Sequence, residues 1–525
     1  MEDILIIGTF ILYGFCLLII SFYVIGQLTL AHFAYKSRYE NRNLKKDLDF
    51  QNHESIPFVT VQLPLFNERY VVERLIDSVI QFDYPLSRFE IQILDDSTDD
   101  TTEFIRRKLQ HISIPGLQIS HIHRTDRTGF KAGALQEGLK VAKGDLIAIF
   151  DADFVPSADF LKNVVPHFTE NNVGMVQARW EHLNRDYSLL TELQAFGLDA
   201  HFLVEQTARN TAGFYINFNG TAGIWRRSCI DDAGGWDSDT LTEDLDLSYR
   251  AQMKGWKFKF VEDVYVPAEL PADMNAYKAQ QFRWSKGAIE TAKKHFLTVW
   301  NSTLPFYLKW QSSLHLTACI TYLCILLSGI LTVPLMFIKN NYDGFDAVFI
   351  LLSVFSPGII FTLIFFSASV TNPFAHRNFT ISQFSRLFFS YMAFSMGMAV
   401  HNTFAIIQGF MGKKSSFVRT PKFGLQQAGD SMNKKTYRPN KIAWSTIVEL
   451  VLVVYFTFGA AVALDYEELS LLPFQILFAS GFLMASFFSL RDMKWDMPET
   501  LQVLKNSILK SLVNSGILSE TQRKS

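Results

Sequence analysis

Long stretches without a charge constrain this chain more than any other feature. Ile4 to Ala31 contains no Asp, Glu, Lys, Arg or His. A helix of that length crosses roughly 30 Å of hydrocarbon. Four further apolar runs follow: Trp310 to Ile338, Ala347 to Asn372, Ala443 to Leu464 and Leu469 to Leu490. Each is long enough to span. Pro357 is expected to kink the third run. Glu449 sits near the start of the fourth, where lining a channel and snorkelling to the interface fit equally. The first run does not read as a signal peptide, because Glu2 and Asp3 before it are acidic, it is too long, and no small-residue cleavage site follows.

Phe384 to Gly412 is apolar but interrupted by Arg386, His401, Asn402 and Gln408, and is read as amphipathic helix lying in the interface. With it flat, five spans put Met1 outside and the C-terminus inside. The outer loops "KNNYDGFD" and "DYEELS" then lean acidic. Lys36, Arg38, Lys45, Lys46, Lys413, Lys414, Arg419, Lys422, Lys434, Lys435 and Arg491 fall inside, as the positive-inside rule asks. The expected organisation is a membrane helix over 1–35, a cytosolic domain over 50–300, two spans over 305–375, interfacial helices and a loop over 376–442, two spans over 443–492 and a cytosolic tail over 493–525. Mean hydropathy of +0.11 and 48 Phe suit such a chain. A net charge of −2 gives no reason to expect nucleic acid as a partner. Cys16, Cys229, Cys319 and Cys324 lack metal-ligand spacing, and neither disulfides nor structural zinc are expected.

Between about Asn52 and Asn301 apolar strand-like runs alternate with helical patterns. "VTVQLPL" (59–65), "EIQILDD" (90–96), "LQISHI" (117–122) and "DLIAIFDADF" (145–154) read as buried strands. Val72, Leu75, Ile76, Val79 and Ile80 recur at helical spacing. "DDTTEFIRRKLQ" and "FKAGALQEGLKVAKG" also read as helices. This alternation predicts an α/β domain with a mainly parallel, Rossmann-like sheet, whose ligands sit beyond the carboxyl ends of the strands. Three such ends carry carboxylates: "PLFNER", "LDDSTDD" and "FDADF". Carboxylates aimed at one crevice repel unless a cation neutralises them. Mg²⁺ or Mn²⁺, shared with substrate phosphates, is the expected neutraliser. Neither a P-loop nor a GxGxxG stretch is present to hold the phosphates.

The ordered set "LDDST" (94–98), "DAD" (151–153), "TED" (242–244) and "QQFRW" (280–284), with spans after it, resembles the family 2 glycosyltransferases of the cellulose-synthase superfamily. Within it the chain is similar to the glucomannan mannosyltransferase and cellulose-synthase-like A/C group. "FNGTAGIWRR", "GGWDSDTLTEDLDLSYRAQMKGWKF", "ELPADMNAYKAQQFRWSKG" and "FVRTPK" carry that likeness, which runs from about Pro57 to Lys422. A lone DxD arises often by chance; four motifs in order, ending in QxxRW, are specific. The resemblance implies a GT-A fold and inverting transfer from a nucleotide-sugar to a glycan or lipid acceptor at a membrane. It implies that Asn67, Glu68, Asp95 and Asp96 touch the nucleoside and that Lys131 approaches the diphosphate. Asp151 and Asp153 would bind nucleotide and metal, with Asp244 as general base. Glu243, Gln280, Arg283 and Trp284 would meet the acceptor, together with Phe218, Asn219 and Gly220 of "FNGTAG". Phe417, Arg419, Thr420 and Lys422 would belong to a loop closing over the donor.

The chemistry suits these residue types. Charge builds on a pyrophosphate leaving group, so cations stabilise the transition state. Arg283 stays charged and bonds oxygens bidentately. Inversion needs one base on the opposite face of the sugar. Trp284 offers a flat apolar face to a pyranose ring. Plainer readings exist for each: Asp96 and Asp99 suit helix capping, Glu243 and Asp244 suit a helix N-terminus, and Trp284 suits an interfacial belt. His182, His201 and His401 read as polar or packing residues and are given no role.

Three functions remain open on sequence. One is a processive β-glycan synthase that passes its product through the spans. Another is a single-addition enzyme acting on a lipid. The third is a transporter or inactive scaffold. UDP-glucose and GDP-mannose both fit as donor, with a lean to GDP-mannose. The compact length leans to a bacterial inner membrane over a Golgi membrane, with the catalytic domain in the cytosol.

Overall fold

A computed structural model describes residues 2–38, 56–342, 358–376, 378–415, 419–425 and 442–493, with isolated positions at 344–345, 348, 351–352, 507 and 510–511. The central feature is a seven-stranded sheet of order β3-β2-β1-β4-β6-β5-β7. The strands are β1 Val59–Leu65, β2 Phe89–Asp95, β3 Gln118–His123, β4 Leu146–Ile149, β5 Val173–His182, β6 Gly223–Arg226 and β7 Lys257–Ala268. All run in one direction except β6, which is antiparallel to both β4 and β5.

The sheet is buried on both faces, which explains why its central strands are continuous apolar runs. Leu146 and Ala148 of β4 enter one core with Val59, Val61 and Leu75, while Ile147 and Ile149 enter the opposite core with Leu135, Leu139 and Trp225. Helix Val72–Val79 buries Val72, Leu75, Ile76 and Val79 against the sheet, as their spacing predicts. Helices Thr101–Gln110 and Phe130–Val141 carry the next two crossovers. The mainly parallel α/β architecture expected from sequence is therefore present.

Two details of this topology place the site. The chain winds outward through β1, β2 and β3, then returns so that β4 pairs with the other side of β1. That reversal leaves a crevice beyond the carboxyl ends of β1 and β4. In addition, β4 is shorter than the run 145–154 suggests and ends at Ile149. Asp151 and Asp153 are thereby released into the crevice instead of being held in the ladder.

Among the described residues, four helices are long and apolar enough to cross a membrane: Asp3–Ser37, Ile320–Asn341, Trp444–Asp465 and Leu472–Arg491. The run Trp310 to Ile338 is not one helix. It divides into Phe306–Thr317 and Ile320–Asn341, with a break at Ala318 and Cys319. The run 347–372 is described as the helix Gly358–Val370, and Pro357 lies outside the described residues. The interrupted segment after it forms two helices, Ile381–Gly397 and Ala399–Phe410, which meet at Met398.

Candidate active site

The crevice is a cleft of about 190 Å³. Strand ends supply much of its wall: Phe66 and Glu68 after β1, Asp96 after β2, Asp151 and Asp153 after β4, and Glu269 after β7. Helix Phe130–Val141 adds Lys131. Helix Glu243–Met253 adds Glu243 and Asp244 from its first turn, and helix Met274–Asn301 adds Gln280, Arg283 and Trp284. Asn219 and Gly220 precede β6, and Arg419, Thr420 and Lys422 arrive from the segment between the membrane helices.

The opposite charges in the cleft bind one another. Lys131 Nζ donates to Asp151 Oδ1 at 2.5 Å and to the Gly220 carbonyl at 2.9 Å. Lys422 Nζ donates to Asp153 Oδ2 at 2.5 Å and to the Glu269 carbonyl at 2.8 Å. Arg419 grips Glu68 through two hydrogen bonds of 2.9 and 2.7 Å. Arg283 donates to Thr420 Oγ1 at 2.9 Å. Such a site offers carboxylates to a metal and cations to a diphosphate once the internal pairs open.

Burial pushes the Asp244 carboxyl up to about 7, and the neighbouring Glu243 charge pushes the same way. Burial also raises Glu243, chiefly against the pull of Lys131. Glu68 rises to about 7 through burial, although Arg419 opposes the shift. Gly220 is required where it stands. Its φ is +80°, and a Cβ there would sit 3.1 Å from Asp244 Oδ2 and 3.4 Å from Lys131 Nζ. The missing side chain lets the acid and the ammonium approach the same small volume.

Three residues expected at the ligand are not among those lining the cleft. Asp95 is fully buried, and its carboxylate accepts from Thr102 Oγ1 at 2.7 Å and Ser97 N at 2.9 Å, with His121 Nε2 at 3.0 Å and His123 Nδ1 at 3.2 Å. Burial alone would raise this acid, but the bonds from His121, Ser97 and Thr102 take it down to about 2. It braces the turn after β2. Asn67 holds a left-handed φ of 58°, and its Oδ1 accepts from Thr98 N at 2.8 Å, which locks the β1 turn to the β2 turn. Phe218 is fully buried, packed edge-on against Trp225 at 5.6 Å. Phe417 lies outside the described residues.

Other cleft residues were not singled out by sequence. Glu269 accepts from the backbone N–H groups of Phe423, Gly424 and Leu425 at 2.7, 2.8 and 3.1 Å, and so anchors the segment that carries Lys422. Its signal was available, since it follows β7 directly, as Asp96 follows β2. Arg124 holds Asp96 through two bonds of 2.7 and 2.5 Å, and Arg127 lies over the Phe66 ring at 3.2 Å. These arginines sit in a loop whose spacing carries no periodic signal.

The DAD pair fits a hard divalent cation. Both residues offer carboxylate oxygens at the end of one strand, and each already holds a cationic stand-in, the ammonium of Lys131 or Lys422. A second acidic group, Asp237, Asp239 and Asp246, also has oxygens within 4.8 Å of one another. Lys294 Nζ meets all three, at 3.0, 2.9 and 3.0 Å, and His295 Nε2 lies 2.7 Å from Asp246. A lysine ammonium thus stands at both acidic groups, and the DAD pair differs in lining the cleft.

Trp284 borders a second space. A cavity of about 1150 Å³ among the membrane helices also has Trp284 in its wall. Its lining includes His201, Glu205, Gln311 and Tyr322, and it reaches Lys339 and Glu468, which form an ion pair.

Residues 57–287 match the family model described as "Glycosyltransferase like family 2". The chain is 35% identical over 405 residues to glucomannan 4-beta-mannosyltransferase 1 of Oryza sativa subsp. japonica, covering 73% of each chain. It is 39% identical over 313 residues to glucomannan 4-beta-mannosyltransferase 9 of Arabidopsis thaliana, covering 57% of this chain and 58% of that protein. Among solved structures it resembles a mannosyltransferase from Pyrobaculum calidifontis in complex with GDP-Man and Mn²⁺, with a TM-score of 0.49 and 22% identity over 68% of this chain and 97% of that one.

Proposed function

Because the chain belongs to glycosyltransferase family 2, as a membrane hexosyltransferase homologous to the glucomannan 4-beta-mannosyltransferases, we propose that it transfers mannose from GDP-mannose, with inversion, to a growing β-glycan and feeds the product into the membrane. The observation that carries the second half of this reading is the position of Trp284, shared by the wall of the cleft and the wall of the 1150 Å³ cavity. A sugar stacked on that ring would neighbour both the reacting centre and a partly polar cavity.

In this reading Asp244 removes the proton of the acceptor hydroxyl, a task suited to an acid held near neutrality. Lys131 and Arg283 leave their internal partners to hold the diphosphate oxygens as charge builds there. Asp151 and Asp153 are the residues that would hold a divalent cation, which when bound would supply Lewis-acid neutralisation of a leaving diphosphate. The segment Arg419 to Leu425, anchored by Glu269, covers the donor and excludes water. Asp96 and Glu68 face the nucleoside end.

Mannose as the donor sugar is supported by the names of the relatives. Their plant origin supports a Golgi membrane over the bacterial inner membrane that chain length alone suggested.

The test uses detergent-purified protein with Mg²⁺ or Mn²⁺ and labelled GDP-mannose or UDP-glucose, with Asp244→Asn as control. Long, mannanase-digestible product from GDP-mannose, absent in the control, is expected. A single labelled sugar on co-purified lipid would replace the processive reading with glycolipid synthesis. Turnover of UDP-glucose alone would overturn the donor assignment.

A further inference from the structure

The nucleoside end of the cleft carries a cation that the catalytic motifs leave without a task. Arg127 lines the cleft there with Phe66 and Asp96, four residues before Lys131. Its guanidinium carbon lies 3.2 Å from the centre of the Phe66 ring and 5.1 Å from that of Phe130. The ring's quadrupole holds a cation on an aromatic face. Stacking uses the face of a guanidinium, whereas its N–H donors lie around the edge.

The turn that presents Arg127 is braced from both sides. Arg124, which grips Asp96, also donates to the carbonyls of Thr128 and Phe130 at 3.3 and 3.0 Å. Asp126 Oδ1 accepts from Thr128 N at 3.0 Å and from Thr128 Oγ1 at 2.7 Å. The Arg127 carbonyl accepts from Phe130 N at 3.0 Å. Phe130 is held at a φ of 49°, in the left-handed region that a bulky side chain avoids. Strain of this kind persists only where the surroundings enforce it. The backbone that carries Arg127 is therefore set before a ligand arrives.

A nucleotide with its diphosphate at Lys131 would lay its base toward Phe66, Asp96 and Arg127. Both carboxylates at that end are already gripped, Asp96 by Arg124 and Glu68 by Arg419, so the end offers a base N–H donors more than acceptors. The bases answer donors differently. Guanine sets two acceptors, O6 and N7, side by side, at a spacing that an arginine fork matches. Adenine places an amino donor beside N7, where it would meet the guanidinium head-on. Uracil offers O4 beside a C–H and so takes one bond at most on that edge.

We infer that Arg127, seated on Phe66, reads the O6 and N7 edge of a guanine and makes the cleft selective for a guanine nucleotide over uracil and adenine nucleotides. This rests on the nucleotide-sugar reading of the cleft and deepens it, because the choice of base then follows from a side chain of this protein and not from the names of its relatives. Arg127 is a specificity residue: it meets the base, away from the bond that breaks, and governs which donor enters.

The experiment is calorimetric titration of the full chain, in lipid nanodiscs with Mn²⁺, with GDP, 7-deaza-GDP, UDP and ADP, for wild type and Arg127→Met. The deaza analogue differs from GDP only in lacking the N7 acceptor. Wild type should bind it about tenfold more weakly than GDP, the size of one lost hydrogen bond to a charged group, and should bind UDP and ADP more weakly still. Arg127→Met should lose about tenfold or more for GDP, keep UDP within about twofold of wild type, and no longer tell GDP from its deaza analogue. Equal wild-type binding of GDP and 7-deaza-GDP overturns guanine reading while leaving transfer from GDP-mannose standing. Equal loss of GDP and UDP in Arg127→Met overturns it as well, by showing a merely structural arginine. Tighter wild-type binding of UDP than of GDP sinks this inference together with the donor assignment, and binding of no nucleotide sinks the nucleotide-sugar reading itself. Should Arg127→Met not fold, the comparison of GDP with 7-deaza-GDP on wild type decides alone.

Discussion

At Asp244, burial and the Glu243 carboxylate hold the acid near 7, and each has a separable consequence. A base works only when ionised, so kcat/KM should fall on the acid side of about pH 7 and level off above it. Glu243→Gln removes the like charge, and the acid limb should move to lower pH; a limb that stays in place would mean that another group titrates. Asp244→Asn should lower transfer by about 10²–10⁴-fold without loss of nucleotide binding. Gly220→Ala tests the same contact sterically. A Cβ 3.1 Å from Asp244 Oδ2, on a backbone at φ +80°, should strain the turn by about 1–2 kcal/mol and cut kcat more than it lowers Tm. Residue by residue, sequence was a partial guide. Asp151, Asp153, Asp244 and Trp284 stand in the cleft because the first two follow a strand end, Asp244 opens a helix and Trp284 lies on a helix with Gln280 and Arg283. Asp95 looks the same in sequence, yet pairing of β2 with β3 sets it opposite His123, and it turns inward. No single-strand pattern reveals its cross-strand partner.

The helix Met274–Asn301 is held along its length by the membrane domain. Met274 N donates to Asp492 Oδ2 at 2.8 Å. Lys278 Nζ meets both oxygens of Glu449, at 2.7 and 2.9 Å, and Ser489 Oγ at 3.0 Å. The Lys278 carbonyl accepts from His401 Nε2 at 2.8 Å, and Lys286 bonds Lys413 and Ser415. Glu449 therefore neither snorkels nor stands free in the cavity; it is fully buried in an ion pair. Removing one partner of such a pair leaves a buried charge, so Glu449→Gln should destabilise by about 3–5 kcal/mol, read as a lower Tm in nanodiscs, and Lys278→Met/Glu449→Leu should restore most of it. The loop is built on similar logic. Lys422 occupies Asp153 Oδ2, so Lys422→Met should bind Mn²⁺ more tightly in a titration without donor, while transfer falls. Elements of this kind were legible where periodicity marks them. The break at Ala318 and Cys319 was not, because two successive apolar helices read as one run.

On the scale of the whole molecule, the four motifs, the sheet and the membrane helices were readable because each leaves a local trace. What was not readable is how they meet, since Lys278 and Glu449 are 171 positions apart in the chain. Their meeting makes the bilayer a mechanical neighbour of the reaction. The spans Trp444–Asp465 and Leu472–Arg491 respond to hydrocarbon thickness by tilting. Glu449, Ser489 and Asp492 bond these two helices, or the residue just past the second, to the helix that holds Arg283 and Trp284. Lipid acyl length should therefore tune turnover as a substrate contact would: nanodiscs of graded thickness are expected to give a rate optimum, flattened in Lys278→Met/Glu449→Leu. The membrane is then more than a support: its thickness becomes a variable to which the geometry of the cleft should answer.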